Sequence, residues 1–124
     1  MRAAILALPV LLAACGSVPV PKTPEQTVVE LRAGLGSAAA AFNVYASQRP
    51  FCDQPNAKAP PLCADRAVVI QGDRAAHAVA DAIDRAEAVV GAVGVADAKW
   101  SALAEPANLL QQFQAFVTKA KGGH

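Results

Sequence analysis

Apolar residues recur in steps of three and four along three stretches of the chain. The first series is Val28, Leu31, Leu35, Ala38, Phe42 and Tyr45. The second is Val69, Gly72, Ala76, Val79, Ile83, Ala86 and Val90, and the third is Trp100, Leu103, Ala107, Leu110, Phe113 and Val117. Such steps gather side chains on one face of a helix, so each stretch predicts an amphipathic helix with a single buried stripe.

Local signals set the boundaries. Thr23 can cap the first helix, Pro24 suits the first helical position, and Gln26 completes a capping-box pattern. This helix should run from about Pro24 to Gln48 and stop ahead of Pro50. Gly34 and Gly36 lower its propensity, or else admit a neighbouring helix closely. Residues 50–64 carry four prolines and read as a loop. The second helix should span about Asp65 to Val90, with Asp81 and Arg85 as an i,i+4 ion pair, and residues 91–94 should break it. The third should span about Ala96 to Lys121. Pro106 must kink or split it, having no N–H to offer the preceding turn. Lys119 and Lys121 suit its C-terminus, and Gly122 its cap.

Three such helices with short connections pack most simply as a small, antiparallel, all-α three-helix bundle. Composition agrees. The chain is 54% hydrophobic but only 5% aromatic, and much of the apolar content is alanine, which favours helix over sheet. The bulky groups Trp100, Phe113 and Phe116 of the third helix are expected in the core, with the Ala-rich faces of the other two around them.

The first residues follow different rules. Met1-Arg2 is a positive start, and Ala3 to Ala14 is an apolar run of 12 residues interrupted by Pro9. As a helix this run would reach about 18 Å, short of the roughly 30 Å hydrocarbon core, and it fits a signal segment instead. It ends in Leu12-Ala13-Ala14-Cys15. Here the sequence resembles the lipobox of bacterial lipoprotein signal peptides. The resemblance covers about the first 15 residues and implies cleavage before Cys15, a thioether-linked diacylglycerol on that thiol, and acylation of the new amino terminus. Two or more acyl chains anchor a protein stably, whereas one does so marginally. The alternative is an ordinary secretory signal in which Cys15 is incidental. Gly16 and Ser17 follow, with no aspartate beside the cysteine, which by the rule for enteric lipoproteins implies the periplasmic face of the outer membrane rather than the inner membrane. The expected organisation is a cleaved signal at 1–14, a lipidated cysteine and Pro-containing tether at 15–22, and one helical domain at 23–124.

Removing the first 14 of 124 residues leaves 110, which suits one domain. Arg2 leaves with the signal, so 10 basic side chains face 10 acidic ones. With no net basic field, nucleic acid is not an expected partner. An extracytoplasmic compartment permits disulfides, so Cys52 and Cys63 are expected to pair and close the loop between helices one and two. The alternative is a metal or redox pair, but 10 residues intervene where such motifs favour two to four.

Other candidate chemistry is sparse. Asp73, His77 and Asp81 share a helix face, with Asp84 nearby, and carboxylates with an imidazole can bind a divalent metal or move a proton. The competing and preferred reading is an ordinary solvated face, so no metal is expected. His124 follows two glycines at the chain end and is expected to be disordered. The sequence contains no G-x-S-x-G, no H-E-x-x-H and no glycine-rich phosphate loop, so no catalytic residues or cofactors are expected. Arg49, Phe51, Lys58 and Leu62 flank the cysteines and could form a protein-contact patch on a braced loop. Alternatively, Phe51 and Leu62 cap the open end of the core. The expectation is a membrane-tethered, non-enzymatic interaction module of the cell envelope, with the membrane and an envelope protein as partners. Two alternatives remain. One is a small-ligand binder with a cavity near Trp100 and Phe113. The other is a phage lysis lipoprotein of the outer-membrane spanin kind, a group sharing small size, a lipobox and prolines but usually richer in proline and less helical.

Overall fold

A computed structural model of the chain describes residues 22–122. The signal segment, Cys15, most of the tether and His124 lie outside the described residues. Three helices account for three quarters of what is described, and no strand occurs among the described residues. We number them α1 (Pro24–Ala46), α2 (Arg66–Gly91) and α3 (Ala96–Gly122). No helix among them is long and apolar enough to cross a membrane.

Each start and stop has a local cause. Thr23 Oγ1 accepts from the Gln26 N–H at 3.2 Å, and the Gln26 side chain accepts from the Thr23 N–H at 3.0 Å, completing the capping box. The end of α1 falls at Ala46, two residues before the expected Gln48. There the Arg49 guanidinium turns back to donate to the carbonyls of Ala46 and Gln48 at 2.6 and 2.9 Å, satisfying acceptors that a longer helix would have used. Asp65 caps α2, its carboxylate accepting from the Ala67 N–H at 2.9 Å. Of the two outcomes expected at Pro106, a kink or a split, the split is absent, because the third helix runs on through it. Pro106 is fully buried. Packing of its ring offsets the missing N–H, which leaves the Ala102 carbonyl without its intrahelical donor.

All three helices pack against one another. Contacts between α1 and α2 pair late residues with early ones. Phe42 meets Gly72 and Tyr45 meets Asp65, whereas Arg32 reaches Asp84 and Glu87. Contacts between α1 and α3 pair early with early, Glu25 with Lys99, and late with late, Phe42 with Phe113 and Phe116. The start of α1 and the α2–α3 connection therefore share one end of the bundle. The loop between α1 and α2 lies at the other.

The core follows the apolar stripes, with one correction. Phe42, Val79, Ile83, Leu103 and Phe113 are each at most 3% exposed. Trp100 was expected among them and is 43% exposed. The buried side of α3 runs through Leu103, Pro106, Leu110, Phe113 and Val117, and at about 100° per residue Trp100 stands roughly 60° round the helix from Leu103, at the edge of that stripe. The aromatic centre is instead Phe42, whose ring lies 6.1 Å from both Phe113 and Phe116 and 6.2 Å from Tyr45. Phe42 fits because Gly72 offers no side chain where its ring edge meets α2. Gly34 plays a similar part, since a Cβ there would stand 3.0 Å from Leu110 Cδ2. Gly36 faces open space, so close helix approach explains one of that pair and not the other.

Candidate functional site: the disulfide-braced end

The Cys52–Cys63 disulfide closes the loop between α1 and α2, with the two Cα atoms 5.1 Å apart. Cys63 is 1% exposed and Ala64 fully buried, so one side of the bridge is built into the core. The Cys52 N–H donates to the Ala64 carbonyl at 2.9 Å, a second tie beside the covalent one. Between them the chain makes successive turns, with Gln54 N–H to Phe51 O at 2.9 Å and Leu62 N–H to Ala59 O at 2.9 Å. Asn56 takes the left-handed region at φ 64°, which asparagine tolerates better than most residues. Tyr45 joins the loop to the helices. It is 6% exposed, and its hydroxyl oxygen accepts from the Asp65 N–H at 2.9 Å, supporting the capping residue of α2 from α1.

Phe51 is the focus of this end. Its ring packs partly against the core. The guanidinium carbons of Arg49 and Arg66 lie 3.8 and 4.1 Å from its centroid. Arg66 also pairs with Asp53 at 3.3 Å. A cation held over an aromatic ring is attracted by the ring quadrupole. Here the stack lays two long cationic side chains over one ring. Arg66 opens α2, where the helix dipole disfavours a cation, and the carboxylate of Asp53 offsets that repulsion.

The sequence-selected loop residues divide. Arg49 and Phe51 come together, and Phe51 reaches the core margin as the capping alternative required. Leu62 does not cap anything: it is 60% exposed. Lys58 is likewise exposed on the loop. Arg66, Asp53 and the Tyr45 hydroxyl were not picked from the sequence. An arginine at the first position of a helix was the available signal, because it needs a nearby acidic partner. Two further apolar side chains, Val44 at 64% and Ile70 at 52% exposure, belong to the same end. A cleft of about 250 Å³ opens beside the disulfide, lined by Tyr45, Pro60, Pro61, Val68 and Lys119 among others.

On the acidic face of α2, His77 and Asp84 of the side chains singled out above take other partners. His77 Nδ1 lies 2.7 Å from the backbone carbonyl of Asp73, not from its carboxylate. Asp84 is drawn to Arg32, which also binds Glu87. These two hydrogen bonds, Glu87 first, raise the affinity of the Arg32 guanidinium for its proton. No group of three metal-ligating side chains occurs among the described residues. Arg85 pairs with Glu105 of α3 at 3.3 Å rather than with Asp81, so the expected ion pair within the helix becomes one between helices. Trp100 and Phe113 stand about 20 Å apart along α3 at ~1.5 Å per residue, so a cavity beside both would have to run that length of the helix.

Comparison with known protein families, curated proteins and solved structures returns no match.

Proposed function

We propose that this chain is a lipid-tethered, non-enzymatic module of the bacterial cell envelope that presents its disulfide-braced end to another envelope protein. The observation that carries this reading is the position of that end. Lys22, where the tether meets the fold, lies at the start of α1. The braced loop lies beyond the other terminus of α1, about 35 Å away at ~1.5 Å per residue. A lipid on Cys15 would hold the first end near a bilayer and direct the second outward. Gly16 and Ser17 after the cysteine favour the periplasmic face of the outer membrane.

The braced end has the features of a contact surface. It is fixed by a disulfide and by a side-chain-to-backbone tie from Tyr45, so little ordering remains to be done on binding. It combines exposed Leu62 on the loop with arginines held on an aromatic ring, and arginine and aromatic side chains are enriched where proteins meet. The open cleft beside Pro60 and Pro61 suits an inserted side chain better than an enclosed ligand.

The test is in-cell crosslinking followed by detergent purification of the wild type, Cys15→Ser, and Leu62→Asp combined with Arg49→Glu. The reading expects one stoichiometric envelope protein with the wild type. That protein should be lost from Cys15→Ser and from the loop variant, with the loop variant still in the membrane fraction. Equal capture by all three forms, or capture by none, overturns it.

A further inference from the structure

The end of the bundle opposite the disulfide carries a second exposed apolar surface. Every residue from Gly91 to Ala98 is exposed. Within and beside this connection stand Val93 at 107%, Val95 at 73%, Trp100 at 43% and Val89 at 42% exposure. No charged side chain occurs from Ala88 to Ala96. The nearest charges are Glu87, bound by Arg32, then Asp97, and Lys99, which lies 4.0 Å from Glu25. Lys22 is paired with Glu30 at 2.9 Å. Val93 and Val95 on the uncharged turn stand open among the described residues, and Val89 and Trp100 in the flanking helices are each a little under half exposed beside them.

Chain length says what covers them. Between Cys15 and the first described residue, Lys22, lie seven residue steps, at most roughly 25 Å fully extended. The Glu25–Lys99 contact places this starting point at the same end as the α2–α3 connection. A bilayer holding Cys15 is therefore within reach of the connection. For the braced loop, a further helix length of about 35 Å intervenes. Tryptophan favours the membrane–water boundary, where its ring is buried and its N–H stays wet. A turn at that level keeps its backbone in water, so no unpaired amide enters hydrocarbon.

We propose that the α2–α3 connection, with Val93, Val95 and Trp100, is a membrane-contacting tip that rests in the headgroup region of the bilayer to which the chain is tethered. The inference rests on the lipid-tether reading above. The tip and the anchor act together. The tether keeps the tip at a high effective concentration over the surface, so a shallow contact suffices. The contact in turn orients the bundle and stands its braced end away from the membrane.

Trp100 is the only tryptophan, which makes it the reporter. The protein is purified from its native membrane and reconstituted into vesicles of phosphatidylethanolamine and phosphatidylglycerol containing brominated phosphatidylcholine. Trp100 emission should shift to the blue and fall about twofold, as for a ring at the headgroup boundary. Val93→Asp with Val95→Asp should restore the emission without moving the thermal melt, because both side chains are exposed. A Leu62→Trp chain carrying Trp100→Phe should stay unquenched. Unquenched Trp100 in protein that still floats with the vesicles overturns the tip and leaves the lipoprotein reading standing. Failure to float, with no lipid mass on Cys15, overturns the lipoprotein reading. In that case the chain from Cys15 onward, which keeps all three helices and the disulfide, is coupled through the Cys15 thiol to a maleimide lipid. The same quenching then decides the tip alone.

Discussion

Gly72→Ala should destabilise the fold, although it replaces a poor helix former with the best one. In the interior of α2, away from contacts, the exchange gains about 1 kcal/mol of helix propensity. The site is not free. A Cβ on Gly72 would stand 2.7 Å from Phe42 Cε1 and nearer still to Cζ and Cε2. Those are ring atoms of a side chain 2% exposed, with Phe113, Phe116 and Tyr45 around it. To restore ordinary contact the ring or the α2 backbone must move by about an ångström or more, and dense packing leaves no void to receive it. Overpacking of this kind costs ~1–3 kcal/mol, and more where a backbone must shift. The propensity gain of about 1 kcal/mol offsets the low end of that range and leaves a net loss of up to about 2 kcal/mol, or up to roughly 15 °C in Tm for a domain of this size.

Urea and thermal unfolding followed by circular dichroism, with the disulfide intact, would measure it. Gly36→Ala is the matched control. It makes the same chemical change in a helix interior where a Cβ would meet nothing within 4 Å. That variant should be more stable than wild type by about 0.5–1 kcal/mol. The difference between the two variants isolates the contact with Phe42. Adding Phe42→Leu to Gly72→Ala should cost less than the two single losses summed, because the smaller side chain removes the clash. Gly72→Ala as stable as Gly36→Ala would refute the close approach of ring and helix on which the core is built.

Two further outcomes test the braced end. Replacing Cys52 and Cys63 with serine should cost about 3 kcal/mol, the chain entropy of a loop of this length, and thiol titration of the denatured, unreduced protein should find neither cysteine free; two free thiols would exclude the bridge. Tyr45→Phe keeps the packed ring but leaves the Asp65 N–H without its acceptor, and should cost about 1 kcal/mol in urea unfolding; an unchanged midpoint would show that water replaces the hydroxyl.

The three stripes were legible in the sequence because steps of three and four report which side chains share a face. Phe42, Ile83 and Phe113 were found that way. Steps of three and four leave the exact centre of a stripe open by a residue. Trp100 is three residues from Leu103, yet the buried stripe passes through Pro106 and leaves Trp100 at its edge, nearly half in solvent. The early end of α1 was hidden for another reason. It depends on Arg49 folding back over Ala46, a side chain three residues outside the helix. Charge pairing was misread for Arg85 because the i,i+4 rule considers one helix, whereas Glu105 arrives from α3. Leu62 and Phe51 look alike beside their cysteines. Only the closed loop decides that Phe51 turns to the core margin and Leu62 to water.

Polarity between the two ends also escapes a linear reading. Along the chain, Val44, Leu62, Ile70, Val89, Val93, Val95 and Trp100 are a scatter of exposed apolar residues, such as many soluble proteins carry. Folding sorts them. Val44, Leu62 and Ile70 go to the end braced by the disulfide, and the other four to the end where α1 begins. A single tether cannot serve both ends alike. The chain enters α1 at the same end as Val93, Val95 and Trp100, so under the proposed tether the two apolar surfaces are inequivalent, one at short range from the anchor and the other about a helix length away. If both surfaces instead mediated self-association, a chain without the lipid would oligomerise through either. Sedimentation of the Cys15→Ser protein at rising concentration should therefore show a monomer. Concentration-dependent assembly lost on Val93→Asp would assign the tip to a second copy of the chain and not to the bilayer.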